Sequence, residues 1–204
     1  MHNAKKDSPS FHRNIGPITG KLDEILDTVP LRVLEIGSGS GQHAVSLATA
    51  FPNFHVQPTD IDDESIESIR AWIKETGVDN VHDPLKLDVT QEHSPFTKDT
   101  MFDLIVCFNV IHITPWDVTD HLFDLGDKVI SPNGRLLLYG PFKIEGRHTS
   151  ESNVQFEQWL KSKDPSFGVR DLEDVRQTAE QYNFPRCVQH QMPSNNFLLE
   201  FTRA

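Results

Sequence analysis

Hydrophobic and polar residues form two alternating kinds of segment, short apolar runs and longer stretches with apolar residues at helical spacing. The runs at 31–36 and 54–59 predict β-strands, and each is followed by a helical pattern. Further strands are predicted at 84–88, 102–111, 134–139, 187–192 and 197–202. Helices are predicted at 18–26, 43–51, 64–76, 119–130, 154–160 and 171–182.

This alternation predicts the fold class. Parallel strands joined by helical crossovers are typical of an α/β, Rossmann-like, doubly wound fold, here with a mostly parallel seven-stranded sheet. Only Pro193-Ser194-Asn195-Asn196 separates the last two strands, which predicts a C-terminal antiparallel hairpin. We expect a single domain over 1–204. The polar segment 140–170 interrupts the pattern, and we expect it to form a lid or substrate insertion.

A glycine-rich segment, Glu35-Ile36-Gly37-Ser38-Gly39-Ser40-Gly41, follows the first predicted strand. Glycine there permits a tight turn and close approach of the backbone to a ligand. The dinucleotide fingerprint G-x-G-x-x-G would need glycine at position 42, where the chain has Gln42. The spacing G-x-G-x-G after an acidic residue resembles the first motif of class I methyltransferases. That resemblance implies a loop that cups the methionine part of S-adenosylmethionine, whose zwitterion tolerates the Glu35 carboxylate.

Carboxylates also follow the next two predicted strands. Asp60 ends the second, where its counterpart in dinucleotide folds accepts hydrogen bonds from ribose hydroxyls. Asp88 closes the third, where class I methyltransferases place an acidic or polar residue near the adenine amino group. The alternative for either is helix capping or simple solvation. The predicted cofactor-binding residues are Glu35, Gly37, Ser38, Gly39, Gly41, His43, Asp60, Ile61, Asp88, Val89 and Asn109.

Methyl transfer from a sulfonium is an in-line displacement, so few catalytic side chains are needed beyond a proton acceptor for a protonated nucleophile. His148 is the first candidate for a general base, and His112 and Tyr139 are further candidates. The alternative for His112 is a hydrogen bond to a neighbouring backbone group.

The polar segment 140–170 also supplies candidates for binding the methyl acceptor. Arg147, Asn153 and Arg170 are the predicted substrate-binding residues, since guanidinium groups bind carboxylates in bidentate fashion. They would suit a small anionic acceptor. Equally, Arg147 and Arg170 would hold the lid by pairing with residues such as Glu145 and Asp171.

Charge and composition narrow the classes of function. The 30 acidic residues outnumber 19 basic ones, and the longest basic cluster is Lys5-Lys6, which argues against nucleic-acid binding. The two cysteines lack metal-type spacing, so we expect neither a bound metal nor a disulfide framework. No apolar run reaches the roughly 18 residues of a membrane helix. We therefore expect a cytoplasmic protein without a membrane partner, and its oligomeric state stays open.

The chain resembles one family in particular, the methyltransferase-like proteins catalogued as domain of unknown function 938. The motifs that carry the resemblance are Arg13-Asn14 with Pro17, Gly39-Ser40-Gly41-Gln42-His43-Ala44, Ile69-Arg70-Ala71-Trp72, Asn109-Val110-Ile111-His112-Ile113-Thr114-Pro115-Trp116, Tyr139-Gly140-Pro141-Phe142-Lys143, Gly146-Arg147-His148-Thr149-Ser150, Arg170-Asp171-Leu172-Glu173-Asp174-Val175 and Met192-Pro193-Ser194-Asn195-Asn196. The resemblance implies a class I methyltransferase fold that binds S-adenosylmethionine and releases S-adenosylhomocysteine.

We therefore expect S-adenosylmethionine-dependent methyl transfer to a small molecule. One alternative is a non-catalytic sensor or scaffold that binds S-adenosylmethionine or S-adenosylhomocysteine. Another is a nicotinamide oxidoreductase, which Gln42 makes improbable. Fold class alone does not decide between these functions.

Overall fold

The computed structural model describes residues 4–27, 29–92, 94–97 and 99–203. Its contacts divide the chain into two compact units. The first contains the residues up to Asp88 together with Phe102–Val106, and the second contains Val89–Met101 and the residues from Cys107 onward.

The first unit is a parallel sheet with helices packed against it. Its elements are α1 (Pro9–Ile25), β1 (Leu31–Ile36), α2 (Gln42–Ala50), β2 (Phe54–Asp60), α3 (Asp63–Thr76), β3 (Leu85–Lys86) and most of β4 (Phe102–Phe108). Strands β1 and β2 pair in parallel along their whole length, β4 flanks β1, and β3 flanks β2. Because all four strands point the same way, the loops after β1, β2 and β3 emerge at one edge of the sheet.

The second unit contains the antiparallel part of the fold. Its elements are α4 (Asp117–Val129), β5 (Ile130–Ile144), β6 (Arg147–His148), α5 (Glu151–Lys163), β7 (Arg170–Asp171), α6 (Leu172–Gln181), β8 (Arg186–Met192) and β9 (Asn196–Thr202). Strand β9 pairs antiparallel with both β5 and β8. Phe123 of α4 anchors the core beneath them, with its ring 5.1 Å from Phe201 and 5.9 Å from Phe184. The predicted α/β fold with a C-terminal antiparallel hairpin is confirmed.

Several elements differ from the sequence prediction, among them α1, β3 and β5. Helix α1 begins at Pro9 and not at residue 18, since proline suits a first helical turn and Phe11 is buried with Ile18 and Leu22. Strand β3 has only two residues, because it borders β2 alone, so Asp88 lies two residues beyond its end. Strand β5 runs on to Ile144, and the short strands β6 and β7 pair with that extension.

The predicted lid at 140–170 is therefore regular structure over most of its length. It begins inside β5, contains β6 and α5, and ends at β7. Helix α5 extends from Glu151 to Lys163, beyond both ends of the predicted helix, because the Ser150 side chain caps its first turn by accepting from the Asn153 N–H.

The alanine variant of Gly41 tests the packing between α2 and α3. A Cβ at Gly41 would lie 2.7 Å from Ile69 Cα, at a φ of +89° that side chains rarely adopt. Gly41→Ala should therefore lower the free energy of unfolding by on the order of 1 to 3 kcal/mol in urea denaturation followed by circular dichroism. Gly20→Ala in α1 is the control, because its Cβ meets open space. Gly20→Ala should instead raise the free energy of unfolding by about 0.5 to 1 kcal/mol. Equal urea midpoints for the two variants would contradict the close packing of Gly41 against Ile69.

Candidate functional site

The glycine loop between β1 and α2 has a backbone that its glycines make possible. Gly37, Gly39 and Gly41 have φ values of 69°, 56° and 89°, all in the left-handed region. The Ser38 N–H donates to the carbonyl oxygen of Thr59 at 2.8 Å, and the Gly41 N–H donates to that of Ser38 at 2.9 Å. A Cβ at Gly39 would meet no atom within 4 Å. The loop is thus held to the end of β2 while the Gly39 side of its backbone is open to a ligand.

Asp60, the last residue of β2, closes the loop from the side. Its Oδ2 accepts from the Gly39 N–H at 2.7 Å and its Oδ1 accepts from the Asp62 N–H at 3.0 Å. A carboxylate has about four acceptor positions, so these two bonds leave capacity for ligand hydroxyls. Ile61, the next residue, exposes 56% of its surface. A carboxylate and an exposed apolar side chain thus occupy consecutive positions at the end of β2.

Glu35 of β1 is buried beneath the loop, with 1% of its surface exposed. Burial, opposed by a hydrogen bond with Ser38 and reinforced by the nearby Asp60 charge, raises the pKa of Glu35 to about 7. Its Oε2 has no hydrogen-bond partner in the described part of the chain. A buried carboxylate oxygen in this state favours a ligand that brings a donor or a positive charge.

Two other predicted cofactor residues belong to this unit. The Leu87 N–H donates to the carbonyl oxygen of Asp60 at 2.9 Å, which brings the half-buried Asp88 to the same sheet edge. The His43 ring lies edge-on to Phe11, with ring centroids 5.1 Å apart, and burial lowers its pKa to about 4. The first unit thus gathers the glycine loop, Asp60, Ile61 and Asp88 at one edge, with His43 neutral against α1.

The remaining predicted cofactor residues, Val89 and Asn109, belong to the second unit. Asn109 has a φ of 64°, and its N–H donates to the carbonyl oxygen of Tyr139 at 2.8 Å. A Cβ on Gly140 would lie 2.3 Å from His112 Nε2 and 3.3 Å from Asn109 Oδ1. Glycine at 140 is therefore what lets Asn109 and His112 lie against β5.

His112 and Tyr139, two of the three catalytic candidates, are both buried. Burial and the Arg170 charge lower the pKa of His112 to about 3, so its imidazole is neutral. Neither of its ring nitrogens has a hydrogen-bond partner among the residues described. Burial raises the pKa of Tyr139, whose hydroxyl accepts from Asn196 Nδ2 at 3.0 Å.

His148, the first candidate for a general base, pairs with an acidic residue that the sequence analysis did not single out. Its Nε2 lies 2.6 Å from Glu157 Oε2, and Lys143 Nζ donates to Glu157 Oε1 at 3.2 Å. Burial alone would raise the pKa of Glu157, yet the bonds from Lys143 and His148 and the charge of Lys161 hold it below its ordinary value. An ionised carboxylate orients the imidazole, as in other proton-accepting pairs. The only signal in the sequence is a glutamate in the predicted helix a few residues after His148, which is too common to be specific.

The predicted substrate-binding residues have different surroundings. The Arg170 guanidinium donates to the carbonyl oxygens of Ile111, Thr114 and Ser166, and so braces this unit without the expected ion pair to Asp171. Asn153 is buried and donates to Thr149 Oγ1 and to the Asn195 carbonyl oxygen. Arg147 is exposed. Of the three, Arg147 is the side chain best placed to meet a solute.

A family model with the description "Protein of unknown function (DUF938)" matches residues 5–203, so the chain belongs to that family. Among curated proteins, an uncharacterized protein of Rickettsia prowazekii is 28% identical over 62% of this chain and 48% of its own length. A tRNA (guanine-N(7)-)-methyltransferase of Helicobacter hepaticus is 33% identical over 40% of this chain and 20% of its own length.

Solved structures with a similar fold include methyltransferases. The S-adenosylmethionine-dependent methyltransferase SibL, in its apo form, matches with a TM-score of 0.78 and 19% identity over 95% of this chain and 55% of its own. Human N-acetylserotonin methyltransferase, in complex with S-adenosylmethionine, matches with a TM-score of 0.77 and 16% identity over 96% of this chain and 53% of its own. The fold is therefore that of class I methyltransferases. The chain spans about half the length of these structures.

No helix in the described ranges has both the length and the apolar character needed to cross a membrane.

The buried Glu35 should make stability depend on pH. Its pKa is about 7 in the folded chain against an ordinary 4.5, so between these values the unfolded chain loses the proton that the folded chain keeps. The free energy of unfolding should therefore fall as pH rises from about 4.5 to about 7. At about 1.4 kcal/mol per pKa unit the loss amounts to about 3 kcal/mol.

Glu35→Gln should flatten that slope and be more stable than the wild-type chain above pH 7, as measured by urea denaturation at a series of pH values. Glu24→Gln on the exposed side of α1 is the matched control and should keep the wild-type slope. Identical pH profiles for Glu35→Gln and the wild-type chain would show that Glu35 is already ionised in the folded state.

Proposed function

We propose that the chain binds S-adenosylmethionine through the first unit and transfers its methyl group to a small molecule. The observation that carries this proposal is the glycine loop closed by Asp60, with the unpartnered oxygen of Glu35 buried beneath it. Glu35 and the loop backbone that is open at Gly39 would hold the methionine part, Asp60 the ribose hydroxyls, and Ile61 and Asp88 the adenine. S-adenosylmethionine supplies an electrophilic methyl group when bound.

The charges in this unit favour that cofactor over a dinucleotide. Two carboxylates, Glu35 and Asp60, lie close enough for the charge of one to raise the pKa of the other. The Glu35 carboxylate beneath the loop, when ionised, would repel a pyrophosphate, whereas the ammonium and sulfonium groups of S-adenosylmethionine would be attracted to it. Gln42, buried where a dinucleotide fold has glycine, agrees with this preference.

We propose that a residue of the second unit accepts the proton. His148, oriented by Glu157, is the proposed proton acceptor when the nucleophile of the methyl acceptor is protonated. The neutral His112 and the protonated Tyr139 are proposed to bind and orient the acceptor by hydrogen bonding. The exposed Arg147 is proposed to attract an anionic group on it.

A small acceptor suits the charge of the chain better than an RNA does. Curated proteins with sequence similarity include tRNA methyltransferases. The net charge of -11 opposes a polyphosphate chain, which must be neutralised by many lysines and arginines. A scaffold that binds the cofactor without transferring its methyl group is the remaining alternative, and a transfer assay separates the two.

Calorimetric titration tests the cofactor. The wild-type chain should bind S-adenosylmethionine and S-adenosylhomocysteine, and Asp60→Ala should weaken both about 10- to 100-fold, the range expected for hydrogen bonds to a charged group. Asp63→Ala is the matched control, because this neighbouring carboxylate is exposed and pairs with Lys86 on the surface. Binding of NAD with no binding of S-adenosylmethionine would refute the proposal.

Incubation of metabolite extracts with methyl-labelled S-adenosylmethionine tests transfer and the charge of the acceptor. Label should enter a small molecule retained by an anion exchanger, and Arg147→Ala should raise the KM for it about tenfold, as loss of a charged hydrogen bond would. Arg186→Ala, an exposed arginine on β8, should have no effect. Labelling of RNA alone would favour an RNA substrate, as in the tRNA methyltransferases with sequence similarity. Cofactor binding without any labelled product would favour a scaffold.

A further inference from the structure

The N-terminal segment, residues 5–8, lies against α2 and α3 immediately before α1 begins. The Lys6 N–H donates to Ser68 Oγ at 2.8 Å, and its carbonyl oxygen accepts from Trp72 Nε1 at 3.0 Å. Both partners are on α3. The segment is therefore held by directed hydrogen bonds to backbone groups, which a change of side chain within it does not remove.

Gln42 connects this segment to the glycine loop. Its side chain is buried, Oε1 accepts from the Ser8 N–H at 2.8 Å and from Ser40 Oγ at 2.9 Å, and Nε2 donates to Asp7 Oδ1 at 2.8 Å. One amide thus bonds both to a residue of the loop and to two residues of the segment. The side-chain amide of Gln42 thus both accepts and donates hydrogen bonds, and a glycine at this position would provide none of them.

Two further routes join the same parts. Ser68 Oγ, which accepts from the Lys6 N–H, donates to the Ser40 carbonyl oxygen of the loop at 2.7 Å. Lys6 Nζ donates to Asp62 Oδ2 at 2.8 Å, and the Asp62 N–H donates to Asp60 Oδ1 at 3.0 Å. The segment is therefore linked to the glycine loop through Gln42 and Ser68, and it is bonded directly to Asp62 in the turn after Asp60.

We propose that Gln42 is a positioning residue that couples cofactor binding at the glycine loop to docking of residues 5–8. The inference rests on the proposed function, since it assumes a ligand on that loop. A ligand that orders the loop reduces the entropic cost of docking the segment, and docking lowers the cost of binding by the same factor. Gln42 acts through its bonds to Ser40 and to the N-terminal segment.

The contact between Gln42 and Asp7 allows a donor–acceptor exchange as the test. Q42E places a carboxylate oxygen against the Asp7 carboxylate and removes the bond. D7N alone keeps an acceptor oxygen for Gln42. In the double variant Q42E/D7N, the amide of Asn at position 7 donates to the new carboxylate, and the bond returns with its direction reversed.

Two readouts apply to the full chain with S-adenosylhomocysteine as the probe. In calorimetry, Q42E should raise the dissociation constant about five- to tenfold, which is within the usual range of couplings between sites. The double variant Q42E/D7N should recover the wild-type value, and D7N alone should change it little. Amide hydrogen exchange, followed by NMR, should slow at Lys6 and Ser8 when S-adenosylhomocysteine saturates the wild-type chain. The slowing should be lost in Q42E and return in the double variant.

Equal affinity and equal exchange in the wild-type chain and Q42E would overturn the coupling while leaving cofactor binding intact. A loss in Q42E that the double variant does not recover would overturn it as well, because the effect would not run through Asp7. Absence of S-adenosylhomocysteine binding to the wild-type chain would instead refute the proposed function, and the coupling with it. The exchange measurement on the wild-type chain needs no variant, so a folding defect in Q42E does not remove the test.

Discussion

The bond from the Gly39 N–H to the Asp60 carboxylate is the constraint on which the candidate cofactor site depends. It joins the loop after β1 to the end of β2 at 2.7 Å, across a backbone that three left-handed glycines allow. With the loop held there, Glu35 is sealed beneath it, and its proton affinity rises because water is excluded and Asp60 is near. The same bond thus fixes the position of the loop and the burial that raises the pKa of Glu35.

The second unit uses most of its charged groups for structure. Arg170 braces three carbonyl oxygens, and Glu157 gathers Lys143 and His148. Such buried or half-buried networks fix side-chain orientation, which is what a proton acceptor needs. Lys143 and Arg170 in the segment 140–170 are therefore bonded to groups of the chain itself. A positive surface that could bind an anionic methyl acceptor depends mainly on Arg147, which is exposed.

The sequence predicts those parts of the fold and the site that follow from local pattern. Strand ends and helix periodicity place Glu35, Gly39 and Asp60 correctly, because period and turn chemistry are local. Tertiary contacts decide the rest. Helix α1 starts early since Phe11 is buried against His43, and Glu157 becomes a partner of His148 only when α5 packs beside β6. From the sequence, Gln42 is notable only because it stands where the dinucleotide fingerprint has glycine. Its hydrogen-bond partners, residues 7 and 8, are more than thirty positions away in the chain, so local pattern does not predict these bonds.

The most direct test of the account is an NMR titration of the chain with S-adenosylhomocysteine that follows the glycine amides. If the cofactor binds at the glycine loop, the signals of Gly37, Gly39 and Gly41 should shift together and saturate with one dissociation constant. The Gly39 signal should respond most, since its amide is bonded to Asp60. Gly77, which ends α3, should not respond. Unchanged loop signals at saturating ligand, or shifts confined to glycines outside the loop, would contradict a cofactor site at the glycine loop.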